Sequence, residues 1–471
     1  MRNERTATHL SATFKSHCKA FIEKLGLQRP ELRAWALYDW ANSAVVTTIV
    51  ASVFPIYFYR VAGAGLPEGV ATQRFAIASL IAMTGLALLA PALGVVADNW
   101  AVKKKLLAVF LGIGAPAAAA MFFIHTGDWL LALVLFVIVE FSVAGTFVFY
   151  DSLLPHIAKH DEIDRVSTTG YALGYLGGGV LLALNLAWIE YPEWFGLPHG
   201  DNLTETQATL PARLAFLSVA GWWLVFSIPL FLRIPEPIVS PATGISGVRK
   251  PFRQTLAQLV ATVGALREYR QAGLMLAAFW IYNEGIGTII KMAAIYGAEI
   301  GLGAEAMIGS ILLVQFIGIP CTVLFGVLAA KLGAKPSIFV GLAVYLGIAL
   351  LGYVMRSDAQ FLTLAVLVGM VQGGTQALSR SLFASLIPKQ KSTQFFALFA
   401  LSEKIAGILG PGLFVATISL TGSSRYAIVS VMIFFLVGGF LLSRVDVAEG
   451  RAAVQVEESL AGGIAADQEQ L

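Results

Sequence analysis

Charged side chains are scarce in this sequence of 471 residues, of which only 13% are Asp, Glu, Lys or Arg. Soluble domains carry about 25% charged and about 45–50% apolar residues, whereas 57% of this chain is hydrophobic even before its 46 glycines are counted. A soluble globule of this size could not bury so much apolar surface, and a disordered chain has the opposite composition. The composition therefore predicts an integral membrane protein.

Cysteine, histidine and net charge are also low. Cys18 and Cys321 are the two cysteines, one in a polar segment and one in an apolar segment, so no disulfide framework is expected. The 6 histidines lie outside the middle of the apolar segments, and the sequence lacks HExxH, GxSxG and P-loop motifs. We therefore expect no enzyme activity, cofactor or metal. The net charge of +3, spread over scattered residues, gives no reason to expect nucleic acid as a partner.

Twelve apolar segments are long enough to cross a bilayer, which takes about 20 residues as a helix. They cover residues 35–59, 75–97, 106–125, 129–154, 166–189, 213–232, 272–298, 306–330, 337–355, 360–387, 395–419 and 425–444. The sequence therefore predicts an all-α membrane protein with twelve transmembrane helices. Outside them lie an arm, 1–34, and a linker, 234–271, each with an amphipathic stripe, and an acidic, Ala/Gly-rich tail, 445–471, that is predicted to be disordered.

The distribution of lysine and arginine predicts the orientation of these helices. If both termini are cytoplasmic, most of the 32 basic residues fall in the arm, the tail and the cytoplasmic loops. The loops on the other side then hold Arg60, Arg74, Arg213, Arg356 and Arg425. Because basic loops favour the cytoplasmic side of a membrane, we expect both termini in the cytoplasm.

The chain contains an internal duplication. GVVADNWAVKKK, which begins at Gly94, is repeated as GVLAAKLGAKPS from Gly326. Other landmarks recur at the same separation to within one residue: Ser152 with Ser385, Pro155 with Pro388, Gly174 with Gly407, Gly177 with Gly410 and Gly179 with Gly412. Two pseudo-symmetric six-helix bundles, 35–233 and 272–444, are therefore predicted. Such halves are typical of secondary transporters, which expose a central site alternately to each side; a static scaffold or receptor is the alternative.

Ionisable and amide side chains inside the predicted spans favour the transporter, because each ionisable group costs at least about 2.5–3.5 kcal/mol near the membrane centre. Glu140 and Glu284 fall near the middle of the fourth and seventh spans, and Gln372, Gln376 and Arg380 recur at helical spacing. The candidate substrate- or ion-binding residues are Asp39, Asn42, Glu140, Tyr175, Asn283, Glu284, Lys291, Gln372, Gln376 and Arg380.

Two interpretations of these buried groups stay open. Opposite charges such as Glu284 and Lys291, or Arg380 and Glu403, could neutralise one another and bind nothing. Glu140 has no basic partner in its own helix, so it is the best candidate for a proton carrier. The alternative for Glu140 is a hydrogen-bonded carboxyl group that stays neutral.

Glycines mark two of the predicted spans. Gly170, Gly174 and Gly178 are spaced by four, and small residues at that spacing let membrane helices approach closely. Gly410 and Pro411 are expected to kink the eleventh span. We expect both sets to serve packing and bending in preference to ligand contact.

One loop resembles a signature of the major facilitator superfamily. GVVADNWAVKKK has its Gly, its Asp four residues later and its basic residues, although Ala101 and Val102 replace the usual Gly and Arg. The resemblance implies a cytoplasmic latch between the two halves, with Asp98 at the N-terminus of the eleventh helix, where the helix dipole favours a carboxylate. The latch residues would be Gly94, Asp98, Lys103 and Lys104.

Longer stretches are similar to one branch of that superfamily, the vacuole-effluxer-like branch. They are WALYDWANSA (Trp35–Ala44), FPIYF (Phe54–Phe58), YDSLLP (Tyr150–Pro155), STTGYALGYLGGG (Ser167–Gly179) and QALSRSLFASLIP (Gln376–Pro388). The branch contains fungal vacuolar amino-acid exporters and many bacterial relatives. The resemblance therefore implies a transporter with two helix bundles, and it covers most of the chain.

These observations together predict a secondary transporter for a small polar or zwitterionic, amino-acid-like solute. We expect an exporter coupled to protons, working as a monomer in the plasma (inner) membrane of a bacterium. A drug, amphiphile or lipid exporter of the same fold is the alternative. A non-transporting sensor and a membrane-embedded enzyme are alternatives from other classes.

Overall fold

The computed structural model of the chain describes residues 23, 25–66, 70–200, 202–237, 268–299, 304–400, 413, 416–417, 420–421 and 424–468. Helices α1 to α6 are Pro30–Ala62, Val70–Trp100, Lys103–Ala120, Trp129–Ile157, Ile163–Glu190 and Leu210–Arg233. Helices α7 to α10 are Arg270–Glu299, Ala304–Leu332, Ala334–Val354 and Asp358–Ala384. Then follow α11, described over 392–400, α12, formed by Ser424–Ser430 and Met432–Ser443, and α13, Val447–Gln468. Short helical turns lie at Met121–Phe123, Pro192–Phe195, Glu205–Ala208 and Lys389–Lys391.

The predicted all-α fold of membrane-length helices is confirmed. In the described ranges, α1 to α10 are long and apolar enough to cross a membrane, and α12 with α13 qualify together as a pair bent by 57°. Long apolar runs form helices because every backbone polar group in lipid must be paired within its own segment. Most of the predicted span 395–419 lies outside the described residues, while each other predicted span overlaps a helix along most of its length.

The helices pack as two groups that meet along α5. In the first group α1 packs on α5 and α6, while α2 and α3 pack on α4. In the second group α7 packs on α12, and α10 packs on α8 and α9. Helices α8 and α10 also pack on α5. The first half therefore contacts the second mainly through α5.

Both ends of the described chain lie on one side of the bundles, which we call the termini face. Near the N-terminus, Arg29 and Gln28 bind the carboxylate of Glu162 in the loop between α4 and α5. At the other end, Glu457 on α13 pairs at 3.2 Å with Lys391 in the loop after α10. The predicted amphipathic stripes of the arm and linker fall mainly outside the described residues.

The prediction of a disordered tail is wrong over Val447–Gln468, which forms α13. Val454 on this helix is buried, Gln271 donates to Glu449 at 2.6 Å, and the Tyr269 hydroxyl donates to Glu457. The tail is poor in large apolar side chains, but its Ala, Glu and Gln residues are good helix formers. A docked helix needs only a few apolar side chains when polar contacts hold its other positions.

Helix α5 approaches α1 closely because the positions that face α1 are glycines, namely Gly170, Gly174, Gly177 and Gly178. A Cβ atom added to Gly174 would lie 2.6 Å from the Ser43 hydroxyl oxygen, and one added to Gly177 would lie 2.4 Å from the Trp40 carbonyl oxygen. Neither distance leaves room for a methyl group. This is the close helix packing that the spacing of these glycines predicts.

We expect Gly177→Ala to destabilise the protein, although alanine is the better helix former. The added methyl group would meet backbone, which cannot turn away as a side chain can, so the cost should be about 1–3 kcal/mol. The measurement is thermal unfolding in detergent. Gly221→Ala is the matched control because a Cβ atom there meets nothing within 4 Å. Equal unfolding temperatures for the two variants would contradict the packing described here.

Candidate functional site

A cavity of about 600 Å³ lies between the two bundles. Helices of both halves contribute polar side chains to its wall: Asp39, Ser43, Thr47, Asp151, Tyr171 and Tyr175 from the first half, and Asn283, Thr288, Ser310, Gln315, Gln372 and Gln376 from the second. Apolar side chains such as Met355 and Phe361 line the part that extends toward the face opposite the termini. The cavity can therefore meet a ligand with polar groups at one end and apolar surface at the other.

The wall formed by α1 contains widened helical turns. The backbone N–H of Val53 donates to the carbonyl of Thr48, five residues earlier, and Val46–Ser52 form a π-helical segment. Pro55 lies just beyond and has no N–H to donate, and a proline ring displaces the carbonyl four residues before it. The wide turns place Val46, Thr47 and Ala51 on the cavity wall. Such local widening is frequent at functional sites.

Arg380 closes the end of the cavity that lies toward the termini face. Its guanidinium comes from α10 of the second half and binds carboxylates of the first half. Its Nη1 atom lies 3.0 Å from Asp151 Oδ1 and 3.4 Å from Asp39 Oδ2. All three side chains are largely removed from solvent: the exposed share of the side-chain surface is 2% for Arg380, 13% for Asp151 and 4% for Asp39. One ionic junction therefore joins α1, α4 and α10.

Two further nitrogen atoms of Arg380 also donate to the first half. Its Nε donates to the Ser167 hydroxyl and its Nη2 to the Ser167 carbonyl, both at 3.0 Å. The rings of Trp35 and Tyr171 lie over the guanidinium, with centroids at 4.7 and 4.3 Å. A planar guanidinium suits this site because it can stack on rings and donate in several directions at once. We call Arg380, Asp39, Asp151, Ser167 and Tyr171 the gate.

Asp98 is on α2, and its side chain lies against the start of α11, as the resemblance implies. The backbone N–H groups of Thr393 and Gln394 donate to its two carboxylate oxygens at 3.2 and 2.9 Å. Gly94 lets α2 come this close, since a Cβ atom there would lie 3.0 Å from the Thr393 carbonyl oxygen. The carboxylate thus accepts hydrogen bonds from N–H groups that a helix N-terminus leaves without an intrahelical partner.

The two lysines of the predicted latch have different partners. Lys103 is buried and lies 2.8 Å from Asp98 and 2.7 Å from the hydroxyl of Ser392 at the start of α11. Lys104 instead donates to the carbonyls of Phe231 and Ile234 at the end of α6, which belongs to its own half. Its place in the predicted latch is therefore corrected: it stabilises the C-terminus of a helix, where cations are favoured.

Several predicted binding residues lie away from the cavity. Glu140 faces α2 inside the first bundle, where the Ser79 hydroxyl donates to it at 2.9 Å. The Asn42 amide donates to Thr146 at 3.4 Å in the same bundle. Glu284 is buried within the second half and is not on the described cavity wall. Periodicity gave the depth of these residues in the membrane but not the direction in which they point.

Other predicted residues do line the cavity. Asp39, Tyr175, Asn283, Gln372 and Gln376 belong to its polar wall, and the Gln376 amide donates to Asn283 at 3.4 Å. The side chain of Lys291, together with Gly410 and Pro411, lies outside the described residues.

Sequence reasoning missed several partners of Arg380 and of Lys103. Asp151, Ser167 and Tyr171 occur within the stretches YDSLLP and STTGYALGYLGGG, which served there only to indicate a resemblance. His156 directly follows YDSLLP and is one of the 6 histidines outside the middle of the apolar segments. For the partners of Arg380, their clustering within those stretches was the available signal.

Residues 70–455 of the chain match the family described as "Vacuole effluxer Atg22 like". "Uncharacterized MFS-type transporter YxiO" from Bacillus subtilis (strain 168) is 32% identical over 415 residues, which is 87% of this chain and 93% of the relative. "Autophagy-related protein 22" from Yarrowia lipolytica is 26% identical over 322 residues, which is 63% of this chain. The match covers 52% of that fungal relative.

Solved structures of major facilitator transporters have the same fold. The proton:xylose symporter XylE superposes with a TM-score of 0.67 at 14% identity, covering 91% of this chain and 96% of the symporter. The human organic anion transporter MFSD10 gives a TM-score of 0.66 at 15% identity and covers 88% of this chain and 99% of that one.

The fold, with a polar cavity between two halves, defines a transporter of the major facilitator type. Within that class, the chain belongs to the Vacuole effluxer Atg22 like family.

We expect Arg380→Gln to destabilise the protein strongly. The variant leaves Asp39 and Asp151 without the guanidinium that binds both, and breaking a buried ion pair typically costs about 3–5 kcal/mol. The free energy of unfolding in detergent measures the loss. Arg356→Gln is the matched control, because Arg356 is an exposed arginine at the opposite face. If the two variants are equally stable, Arg380 is not the junction that the geometry indicates.

Proposed function

We propose that the protein moves a small polar or zwitterionic, amino-acid-like solute by alternating access between its two bundles. The observation that carries this proposal is the cavity: side chains of both halves line it, and residues of both halves close it on the termini side. Separation of the halves at that closure would open the cavity to the other side of the membrane. A site shared between two halves that can move apart suits transport better than static binding.

The termini face is proposed to be cytoplasmic, in the plasma (inner) membrane of a bacterium. The excess of Lys and Arg on that side of the predicted topology supports this orientation. The similarity to the Bacillus subtilis relative supports the bacterial location. Export is the proposed direction, because the family description refers to an effluxer. A monomer is sufficient, since both halves of the site belong to one chain.

The side chains of the cavity fit an amino acid in a defined orientation. The carboxylate of Asp39 would accept hydrogen bonds from the solute ammonium, and the amides of Asn283, Gln372 and Gln376 would donate to its carboxylate. The apolar part of the wall, at Met355 and Phe361, would contact the solute side chain. Each polar group of a zwitterion then has a partner of opposite character.

Proton coupling is proposed to involve the carboxylates at the gate. Asp39 and Asp151 line the cavity and bind Arg380, so protonation of either would weaken the contact that joins the two halves. Glu140 and Glu284 stay second candidates for the coupling residue. They are buried in the membrane-length helices but do not line the described cavity wall.

The alternative substrate is an amphiphile or a drug. The apolar part of the cavity, where Leu364 and Val368 continue the surface of Phe361, favours this possibility. The cluster of amides at the other end favours the polar solute, because buried amides left unpaired by an apolar ligand cost free energy.

The proposal is tested with purified protein in liposomes, a panel of radiolabelled amino acids and an imposed pH gradient. We expect accumulation of at least one amino acid, reduced by at least about tenfold in Asp39→Asn, because a lost charge-assisted hydrogen bond is worth about 1.5–3 kcal/mol. Asp358→Asn is the matched control, since Asp358 is exposed at the start of α10.

Two outcomes would contradict parts of this proposal. If amphiphiles are transported and no amino acid is, the assigned substrate class is wrong. If Asp39→Asn transports normally while Glu140→Gln or Glu284→Gln loses the drive of the pH gradient, coupling belongs to those acids and not to the gate.

A further inference from the structure

A second cluster, buried except for the partly exposed His156, joins the two halves on the termini face, nearer the surface than the gate. It consists of Asp98, Lys103 and His156 from the first half and Ser392 from the second, and we call it the latch cluster. The Lys103 ammonium lies 2.8 Å from Asp98, 2.9 Å from His156 Nε2 and 2.7 Å from the Ser392 hydroxyl. Only 4% of the Lys103 side-chain surface is exposed.

The contact between Lys103 and His156 fixes the protonation state of the imidazole. An ammonium group can only donate hydrogen bonds, so the Nε2 atom that it approaches must be an acceptor. A histidine with an accepting nitrogen is neutral, since both ring nitrogens of a protonated imidazole are donors. The closed arrangement therefore requires a neutral His156.

Ser392 belongs to the second half and connects it to His156 and Lys103 of the first half. Its hydroxyl accepts from Lys103, lies 3.1 Å from His156 Nε2 and donates to the Ser152 carbonyl at 3.1 Å. Ser392 begins α11, whose next two N–H groups bind Asp98. A change at His156 therefore acts directly on the contact that holds α11 against the first half.

Positively charged side chains lie close to the imidazole. Lys103 from α3 and Lys389 from the loop after α10 both face it with positive charge. Asp98 from α2 is the nearby carboxylate of the cluster, and Lys103 together with two backbone N–H groups already engages it. Glu236, after α6, binds the backbone N–H of Lys104 and faces the α3 end of the cluster.

We propose that His156 is the proton-responsive residue of the termini-face closure, so that its protonation releases the latch cluster and favours opening toward that face. A proton on Nε2 would stand 2.9 Å from an ammonium in a buried site, where like charges repel strongly. The inference rests on the alternating access proposed above. It is separate from the cavity carboxylates and from the identity of the solute.

The test measures opening directly, without a solute. Spin labels are attached at Lys159→Cys and Lys331→Cys, exposed positions on the termini face in the first and second halves, after Cys18→Ser and Cys321→Ser. A histidine in water has a pKa of about 6.5. If only the open state binds the proton, the open-to-closed ratio should rise about tenfold between about pH 7.5 and about pH 5.5.

Two variants and one control identify the responsible residue. His156→Gln keeps an acceptor for Lys103 but cannot titrate, and Lys103→Gln removes the cation that repels the proton; both should lose the pH response. His160→Gln should keep it, because His160 is exposed four residues later and lies outside the latch cluster. Using two variants protects the test against a folding defect in one of them.

The results separate this inference from the proposed function. A pH response that survives in His156→Gln, or no pH response in the parent protein, overturns the role of His156. A response that is lost in both variants supports it, even if no amino acid is transported in liposomes. In that last case the proposed solute class fails while the proton-responsive closure stands.

Discussion

One buried cation, Arg380, holds the two halves of the molecule together at the end of the cavity. Removing a guanidinium from water is costly, and the cost is repaid only where carboxylates, a carbonyl and aromatic rings surround it. Those groups come from the other half, on α1, α4 and α5. The halves therefore cannot separate at this point until water or a ligand replaces the first-half contacts of Arg380.

The closure has two layers with different chemistry. The gate is an ionic junction beside the cavity. A ligand in the cavity can affect it, because Asp39 and Asp151 line the cavity and also bind Arg380. The latch cluster lies between the gate and the termini face. By the inference above, it responds to protons that reach it from that face. Close backbone approach makes both layers possible: glycines on α5 admit α1, and Gly94 on α2 admits the start of α11. The packing of the helices thus determines where charges can meet.

The sequence could predict most helices because a long apolar run has few structural choices in lipid. It could also predict that Gln372, Gln376 and Arg380 share one side of a helix, because that follows from the helical period. It could not predict that Arg380 pairs with Asp151, since residues far apart in sequence meet only through tertiary packing. Glu140 illustrates the same limit. Its position near the middle of a membrane span could be predicted from the sequence, but its contact with Ser79 could not. The tail helix was missed because its stability depends on docking to Gln271 and Lys391.

The central claim is that the solute site lies between the halves and is closed from the termini side by the gate. Gln376→Cys tests this most directly, because the residue lies on the cavity wall on α10, one helical turn from Arg380. In oriented vesicles without solute, we expect a membrane-impermeant thiol reagent to modify this cysteine from the face opposite the termini and the transported amino acid to slow the reaction. Modification from the termini face alone, or a rate that the amino acid does not change, would contradict the account.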